Sequence, residues 1–373
     1  LSKFTITWIP VVDKSPDKIV LLGANGQIAT EVALYLRGLA QVQLHGMVRS
    51  RYGTVLLDMA GIPCSVLDYA RITDENRVRL FDAQAIVDCT YPAGQSQNLT
   101  QLIQSNANAV MQCMSPGATY VHASSISAFG MPIDSTEIRD YRFARTHYAR
   151  TKRNAENNLS RLASRRQIRV CHLRLGQVHG VLQSVTRQYC GLINGGVIHS
   201  TGTPTSMSTT VFCHSVAEAF LKAARGEFPD AGIITVVSQP QWTLTDLFDV
   251  YRKIGGAEFD VHYDGVTATN TGYGGLIARL IRMGTPFRTV IESQVLPYIP
   301  GLVPKLKGQY RMQSVRRDRK KLNGDSQQSP LFHLVGAVPG QIADKTRSSP
   351  SESVEIFLSQ QTLLNEILHS AIN

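Results

Sequence analysis

Lys18-Ile19-Val20-Leu21-Leu22-Gly23-Ala24-Asn25-Gly26-Gln27-Ile28-Ala29 is the stretch that decides the fold. Its first five residues form a short apolar run suited to a buried parallel strand. A helical pattern follows the glycines and runs to about Leu39. Between the two lies Gly-x-x-Gly-x-x-Ala, and a glycine motif set between strand and helix reads as a dinucleotide turn. Gly23 permits the tight turn, Gly26 lets backbone approach a pyrophosphate, and Ala29 is small enough for close helix–strand packing. The helix N-terminus, around Asn25, Gln27 and Ile28, is where the anion is expected.

Working outward, the second predicted strand is Val42 to Val48 and ends in Arg49-Ser50-Arg51. A free ribose 2′-hydroxyl is usually met here by Asp or Glu. Arg49 stands in that place with no acid beside it, which favours a 2′-phosphate and hence NADP, with NAD as the alternative. Further strands are predicted at Ile62–Leu67, Ala85–Asp88, Ala118–Ala123 and Ile168–Leu173, with helical segments between them. That alternation specifies an α/β doubly wound parallel sheet. Asp68 follows the third strand, where an adenine ring is expected. Cys89-Thr90-Tyr91-Pro92-Ala93-Gly94 closes the fourth strand at the carboxyl edge, where such sheets bind ligands. Ser124, Ser125 and Ser127 follow the fifth strand, where hydroxyls can hold a substrate oxygen, although loop serines also arise for turn reasons alone.

Thr146-His147-Tyr148-Ala149-Arg150-Thr151-Lys152 comes next. Tyr148 and Lys152 are four residues apart and share one helix face. A phenol is a poor base near neutral pH because its pKa is roughly 10, and an ammonium one turn away favours the phenolate. Alone, the pair is common on solvated helices. Behind a glycine turn and a serine-bearing strand, it becomes a candidate acid/base couple.

Composition bounds the rest. With 373 residues and 43% hydrophobic content, the chain can bury a large core. No repeat, metal-like ligand spacing, ~18-residue apolar run or signal-peptide order is present. The sequence starts at Leu1 rather than Met, as a fragment or processed product would. Residues 1–17 read as an irregular arm broken by Pro10 and Pro16. Six scattered cysteines, several in apolar runs, suggest buried thiols in a reducing, cytoplasmic setting. The formal net charge is +10, gathered around Arg142–Arg166 and Arg311–Lys321. Without aromatic interleaving these clusters read as solvated helix faces rather than a nucleic-acid surface.

Taken together, the motifs resemble the extended branch of the short-chain dehydrogenase/reductase superfamily, which includes nucleotide-sugar epimerases and dehydratases. The glycine pattern falls on Gly23, Gly26 and Ala29, and the Ser-Ser-x-x-x-Tyr-Gly stretch on Ser124 to Gly130. Tyr-x-x-x-Lys falls on Tyr148 and Lys152, and Arg-Pro-Gly-x-Val-Tyr-Gly on Arg174-Leu175-Gly176-Gln177-Val178-His179-Gly180. His214 to Ala219 and Asp318 to Leu322 resemble two later family segments. The resemblance implies a Rossmann dinucleotide domain over 18–180, rejoined near 208–240. It implies a smaller α+β substrate domain over most of 181–373. Ser125, Tyr148 and Lys152 would be catalytic. Cys89, Thr90, Leu175 and Val178 would join the glycine turn in holding the cofactor, and Tyr91, Ser127 and Gln177 would face a nucleotide sugar. A homodimer is also expected, since many relatives pair through helices; membrane and nucleic-acid partners are not.

The departures bear on function. Dehydratases of the family carry Asp-Glu after the catalytic hydroxyl, whereas Ile126 and Ser127 stand here. Phe129 replaces Tyr, and Leu175 and Gln177 replace Pro and Asn. Gly272 to Leu306 is apolar and glycine-rich, unlike the sugar epimerases. The leading expectation is an NADP-dependent sugar-nucleotide epimerase or 4-ketoreductase. The alternatives are a ketoreductase for a hydrophobic ring alcohol, steroid- or flavonoid-like, and an NADP-sensing protein without turnover.

Overall fold

The computed structural model describes residues 17–39, 41–50, 54–92, 99–130, 146–193, 196–264, 337–338, 341–343 and 349–370. The first half runs β1 (Asp17–Leu22), α1 (Gln27–Leu36), β2 (Val42–Val48), α2 (Val55–Met59), β3 (Cys64–Val66), α3 (Asp74–Asp82), β4 (Ala85–Asp88), α4 (Leu99–Met111), β5 (Thr119–Ser125) and α5 (His147–Arg165). The second half runs β6 (Arg169–Leu175), β7 (Gln177–His179), α6 (Ser184–Ile193), β8 (Val197–Thr201), β9 (Thr210–Phe212), α7 (Cys213–Ala224), β10 (Gly232–Val236), α8 (Leu244–Gly255), β11 (Asp260–Asp264), β12 (Gln341–Ile342) and α9 (Pro350–Ser370).

Eight strands form one parallel sheet in the order β12-β10-β6-β5-β4-β1-β2-β3. Helices cover both faces, which is why the central strands are apolar throughout rather than alternating. Ile19, Leu21 and Leu22 are each at most 2% exposed, and burying such a side chain stabilises by ~1.5–3 kcal/mol. One face packs on α1 and α7 through Val32, Ala33, Val216 and Phe220. The other packs on α3, α4 and α5 through Leu80, Val110, Leu159 and Ala163. This is the doubly wound Rossmann architecture that the alternating pattern specifies. Strand order reverses between β1 and β4, so the crevice beyond their carboxyl ends is the ligand-binding position of such sheets.

Sequence and structure differ at the boundaries. Helix α1 stops at Leu36, because the chain turns at Gly38, whose N–H bonds Tyr35 O. Strand β3 is only three residues long, since Pro63 has no N–H to give a ladder. Strands β5 and β6 extend to Ser125 and Leu175. Ser124 and Ser125 are therefore strand residues, paired with Arg174 and Leu175, and not loop serines. The Arg311–Lys321 and Asp318–Leu322 segments and the apolar Gly272–Leu306 stretch lie outside the described residues, as do residues 1–16.

A smaller α+β region is built from α6, α8 and the parallel pair β8–β11 around Tyr189, Phe248, Tyr251 and Phe259. Strand β7 pairs with β9, and Val354 and Phe357 of α9 pack on Phe212, Trp242 and Val250. Among the described residues no helix is long and apolar enough to cross a membrane.

Candidate active site

The glycine turn places backbone where a dinucleotide needs it. Gly23 has φ +70°, a conformation that favours glycine, and a β-carbon there would stand 3.0 Å from Thr90 Cγ2. The first turn of α1 carries neither a side-chain cap nor an acidic residue. Its N–H groups face the crevice end of the helix without a built-in anion, and Gly26 and Gln27 are exposed there. The donor set fits a pyrophosphate.

A cleft of about 360 Å³ opens beside this turn. Ile28 of α1, Cys89 and Tyr91 after β4, Ser125 of β5, and Tyr148 and Lys152 of α5 line it. Leu175, Gln177 and Val178 close the side formed by β6 and β7. Gly23, Asn25, Gly26 and Thr90 sit at the adjoining strand ends. Arg49 and Asp68 lie farther along the same sheet edge, beyond β2 and β3, and both are exposed. The Asp68 carboxylate accepts the Ala70 N–H at 3.0 Å. Ser127 is not among the lining residues; its backbone N–H donates to Ser125 Oγ at 3.2 Å.

Helix α5 begins at a Thr146 cap, whose hydroxyl accepts the Ala149 N–H. From there Tyr148 projects into the cleft that Ser125 also lines. The Tyr91 ring meets the Tyr148 ring edge-on at 5.5 Å. Lys152 is 5% exposed; its Nζ donates to Ala123 O at 2.9 Å and stands 5.0 Å from the Tyr91 ring centroid. Behind Cys89, buried Asp88 accepts the Tyr120 hydroxyl at 2.5 Å, the Thr90 N–H at 2.8 Å and the Thr90 hydroxyl at 2.6 Å. The loop after β4 is thereby pinned at its root.

The electrostatics differ from the simple Tyr–Lys expectation. Although 41% of Tyr148 is exposed, crowding by protein around its phenol raises the pKa, and the nearby Ser125 hydroxyl opposes that rise. The Lys152 Nζ is turned to Ala123 O and lies 6.0 Å from the Tyr148 ring centroid, and burial is the largest influence on the phenol. Burial lowers Lys152 itself, and Asp88, Cys89 and Glu156 oppose this. The phenol is thus protonated at neutral pH, poised as a proton donor.

Some supporting residues carry no local motif. Glu156 and Arg174 form a buried bidentate pair behind the site. Glu31 holds the loop that brings Gln183, Ser184 and Val185 to the cleft. The available signal is an isolated acid: Glu31 inside the apolar run of α1, and Glu156 one turn past Lys152 on an otherwise basic helix.

An all-parallel doubly wound sheet with a glycine turn at its switch point, and with Ser125 facing a Tyr148–Lys152 helix, defines the extended short-chain dehydrogenase/reductase class of enzymes. Residues 19–224 match the model of the NAD dependent epimerase/dehydratase family, and the chain belongs to that family. No curated protein sequence matches it. Among solved structures, a UDP-N-acetylglucosamine 4-epimerase from Methanobrevibacter ruminantium M1, in complex with UDP-N-acetylmuramic acid, is 16% identical. It has a TM-score of 0.52 over 67% of this chain and 86% of that one. A UDP-glucuronic acid 4-epimerase from Bacillus cereus, in complex with NAD, is 15% identical, with a TM-score of 0.51 over 66% and 86%. At such identity these likenesses speak for the fold.

Proposed function

We propose that this enzyme interconverts a secondary alcohol and its ketone on a nucleotide sugar, as an NADP-dependent epimerase or 4-ketoreductase. The observation that carries the reading is the meeting of Ser125, Tyr148 and Lys152 in one cleft that adjoins the glycine turn. A bound nicotinamide supplies hydride transfer to and from the reacting carbon. Ser125 holds the substrate oxygen, and Tyr148 gives that oxygen a proton as ketone becomes alcohol and recovers it in reverse. Lys152 holds the nicotinamide ribose and keeps positive charge near the phenol. Gly23, Asn25, Gly26, Gln27 and Ile28 receive the pyrophosphate, and Arg49 a 2′-phosphate. Asp68 borders the adenine, while Cys89, Thr90, Leu175 and Val178 flank the nicotinamide half. Tyr91 and Gln177 face the sugar, and 181–373 supplies most of the substrate side.

Two observations narrow the chemistry. No acidic residue lines the described cleft, so elimination of water lacks a carboxylate proton donor. Ile126, at the first position of the dehydratase acid pair, is 1% exposed and packed in the core. The structural neighbours named above are UDP-sugar epimerases, which supports the sugar-nucleotide reading.

The test is to identify the dinucleotide that co-purifies, then screen nucleotide sugars for isomer change and for NADPH oxidation. Isomer change without net NADPH consumption selects the epimerase, and stoichiometric oxidation selects the reductase. Tyr148→Phe is expected to lose turnover by ~10²–10⁴-fold while keeping dinucleotide affinity. Wild-type turnover in that variant, or NADPH oxidation only by apolar ketones, overturns the proposal.

A further inference from the structure

Tyr148, Lys152 and Glu156 follow one another at four-residue intervals on α5 and share a face. Glu156 is 2% exposed. Its Oε1 accepts the Ser124 hydroxyl at 2.5 Å and Arg174 Nε at 2.9 Å, and its Oε2 accepts Arg174 Nη2 at 2.7 Å. Ser124 and Arg174 are register partners in β5 and β6. Arg174 is 6% exposed and lies 4.2 Å from the centroid of the Phe129 ring, which fixes its plane. A two-pronged guanidinium–carboxylate pair constrains angle as well as distance. One turn of α5 is therefore locked to both central strands, directly behind the turn that carries Lys152.

We propose that Glu156 is a positioning residue: its clamp on Arg174 and Ser124 sets α5 so that Tyr148 meets Ser125, and gives the Lys152 ammonium a fixed buried counter-charge. This rests on the roles proposed above for Tyr148 and Lys152. Ser124 and Ser125 are consecutive in β5, so their side chains leave opposite faces of the sheet. The clamp holds one of them and the other lines the cleft with Tyr148, which ties helix height to the Ser125 hydroxyl. Around Lys152 stand Asp88 from β4, Cys89 and Tyr91 beyond it, His122 from β5, and Tyr148 and Glu156 on its own helix. Around Glu156 stand Arg174 and His172 from β6. Glu156 is one of two carboxylates that favour the charged lysine; Asp88 is the other.

The dinucleotide-loaded full chain, labelled with ¹³Cε-lysine, reports the Lys152 titration by NMR, with the resonance assigned by Lys152→Met. Glu156→Gln is expected to move that titration down by ~1 pH unit and to lower kcat by ~10–100-fold with KM nearly unchanged. Glu156→Asp, which keeps the charge but shortens the reach, is expected to lower kcat while leaving the titration in place. A merely structural residue changes the folded fraction and leaves the lysine titration of the folded protein unmoved. If Glu156→Gln does not fold, the double variant Glu156→Met/Arg174→Met removes both buried charges together and decides. Wild-type Lys152 titration and kcat in a folded variant overturn the proposal. A wild type inactive on every nucleotide sugar overturns the substrate reading instead, and the NMR arm still decides this one.

Discussion

Gly180 packs so closely on Glu31 that a β-carbon there would stand 2.1 Å from the Glu31 Oε1. The carboxylate is 1% exposed and accepts the N–H groups of Val181 at 2.8 Å and Leu182 at 3.0 Å. Gln183 Nε2 adds a third bond at 2.8 Å. A residue of the dinucleotide-side helix α1 thus holds the loop that walls the other side of the cleft. Gly180→Ala is expected to cost about 1–3 kcal/mol by overpacking, read as a lower urea midpoint, together with weaker dinucleotide binding. An unchanged midpoint would mean the loop moves away from Glu31 at no cost.

Removal of the Ser125 hydroxyl isolates its effect on Tyr148. The Ser125 hydroxyl lowers a phenol that burial raises, so Ser125→Ala is expected to push the Tyr148 pKa further up. The limb of the pH–rate profile that needs phenolate then moves to higher pH. Loss of a hydrogen bond to a charged group predicts a kcat drop of about 10- to 100-fold near neutral pH. A profile that keeps its limb would show that another group sets it.

Local spacing made the fold and part of the candidate site legible. Lys18–Ala29 carries strand, turn and helix in twelve consecutive residues, and Tyr148–Lys152 spans one helical turn, so neither needs tertiary information. The Lys152 side chain shows the limit: spacing places it beside Tyr148, yet its Nζ is turned to Ala123 O, and burial then governs the phenol. Glu31 and Glu156 were illegible for a related reason. Their partners lie about 150 and 18 residues away, and a carboxylate acquires such a role only once folding removes water from it.

Cofactor choice turns on Arg49. It stands exposed at the carboxyl end of β2. Arg49→Ala is expected to weaken NADP binding by about 10- to 100-fold, the range for a charge-assisted hydrogen bond, and to leave NAD binding nearly unchanged. Titration of both dinucleotides by tryptophan or nicotinamide fluorescence measures this. Equal losses for the two would remove the basis for NADP.

His122 and His172 set an acid limit on stability. Their Nδ1 atoms lie 3.2 Å apart, so one donates and the other accepts, and His172 Nε2 meets the Ser160 hydroxyl at 2.8 Å. Burial lowers His122 well below the ordinary histidine range and His172 from 6.5 to about 4. Between those two pH values the unfolded chain binds more protons than the folded one, so stability is fully present above pH 6.5 and is lost as pH falls towards 4. His172 alone accounts for about 3 kcal/mol of that loss. His172→Gln keeps a hydrogen-bonding side chain without the titration. It is expected to flatten the dependence of the urea midpoint on pH between 7 and 4.5, and a slope equal to that of the wild type would show that His172 is not held neutral in the fold.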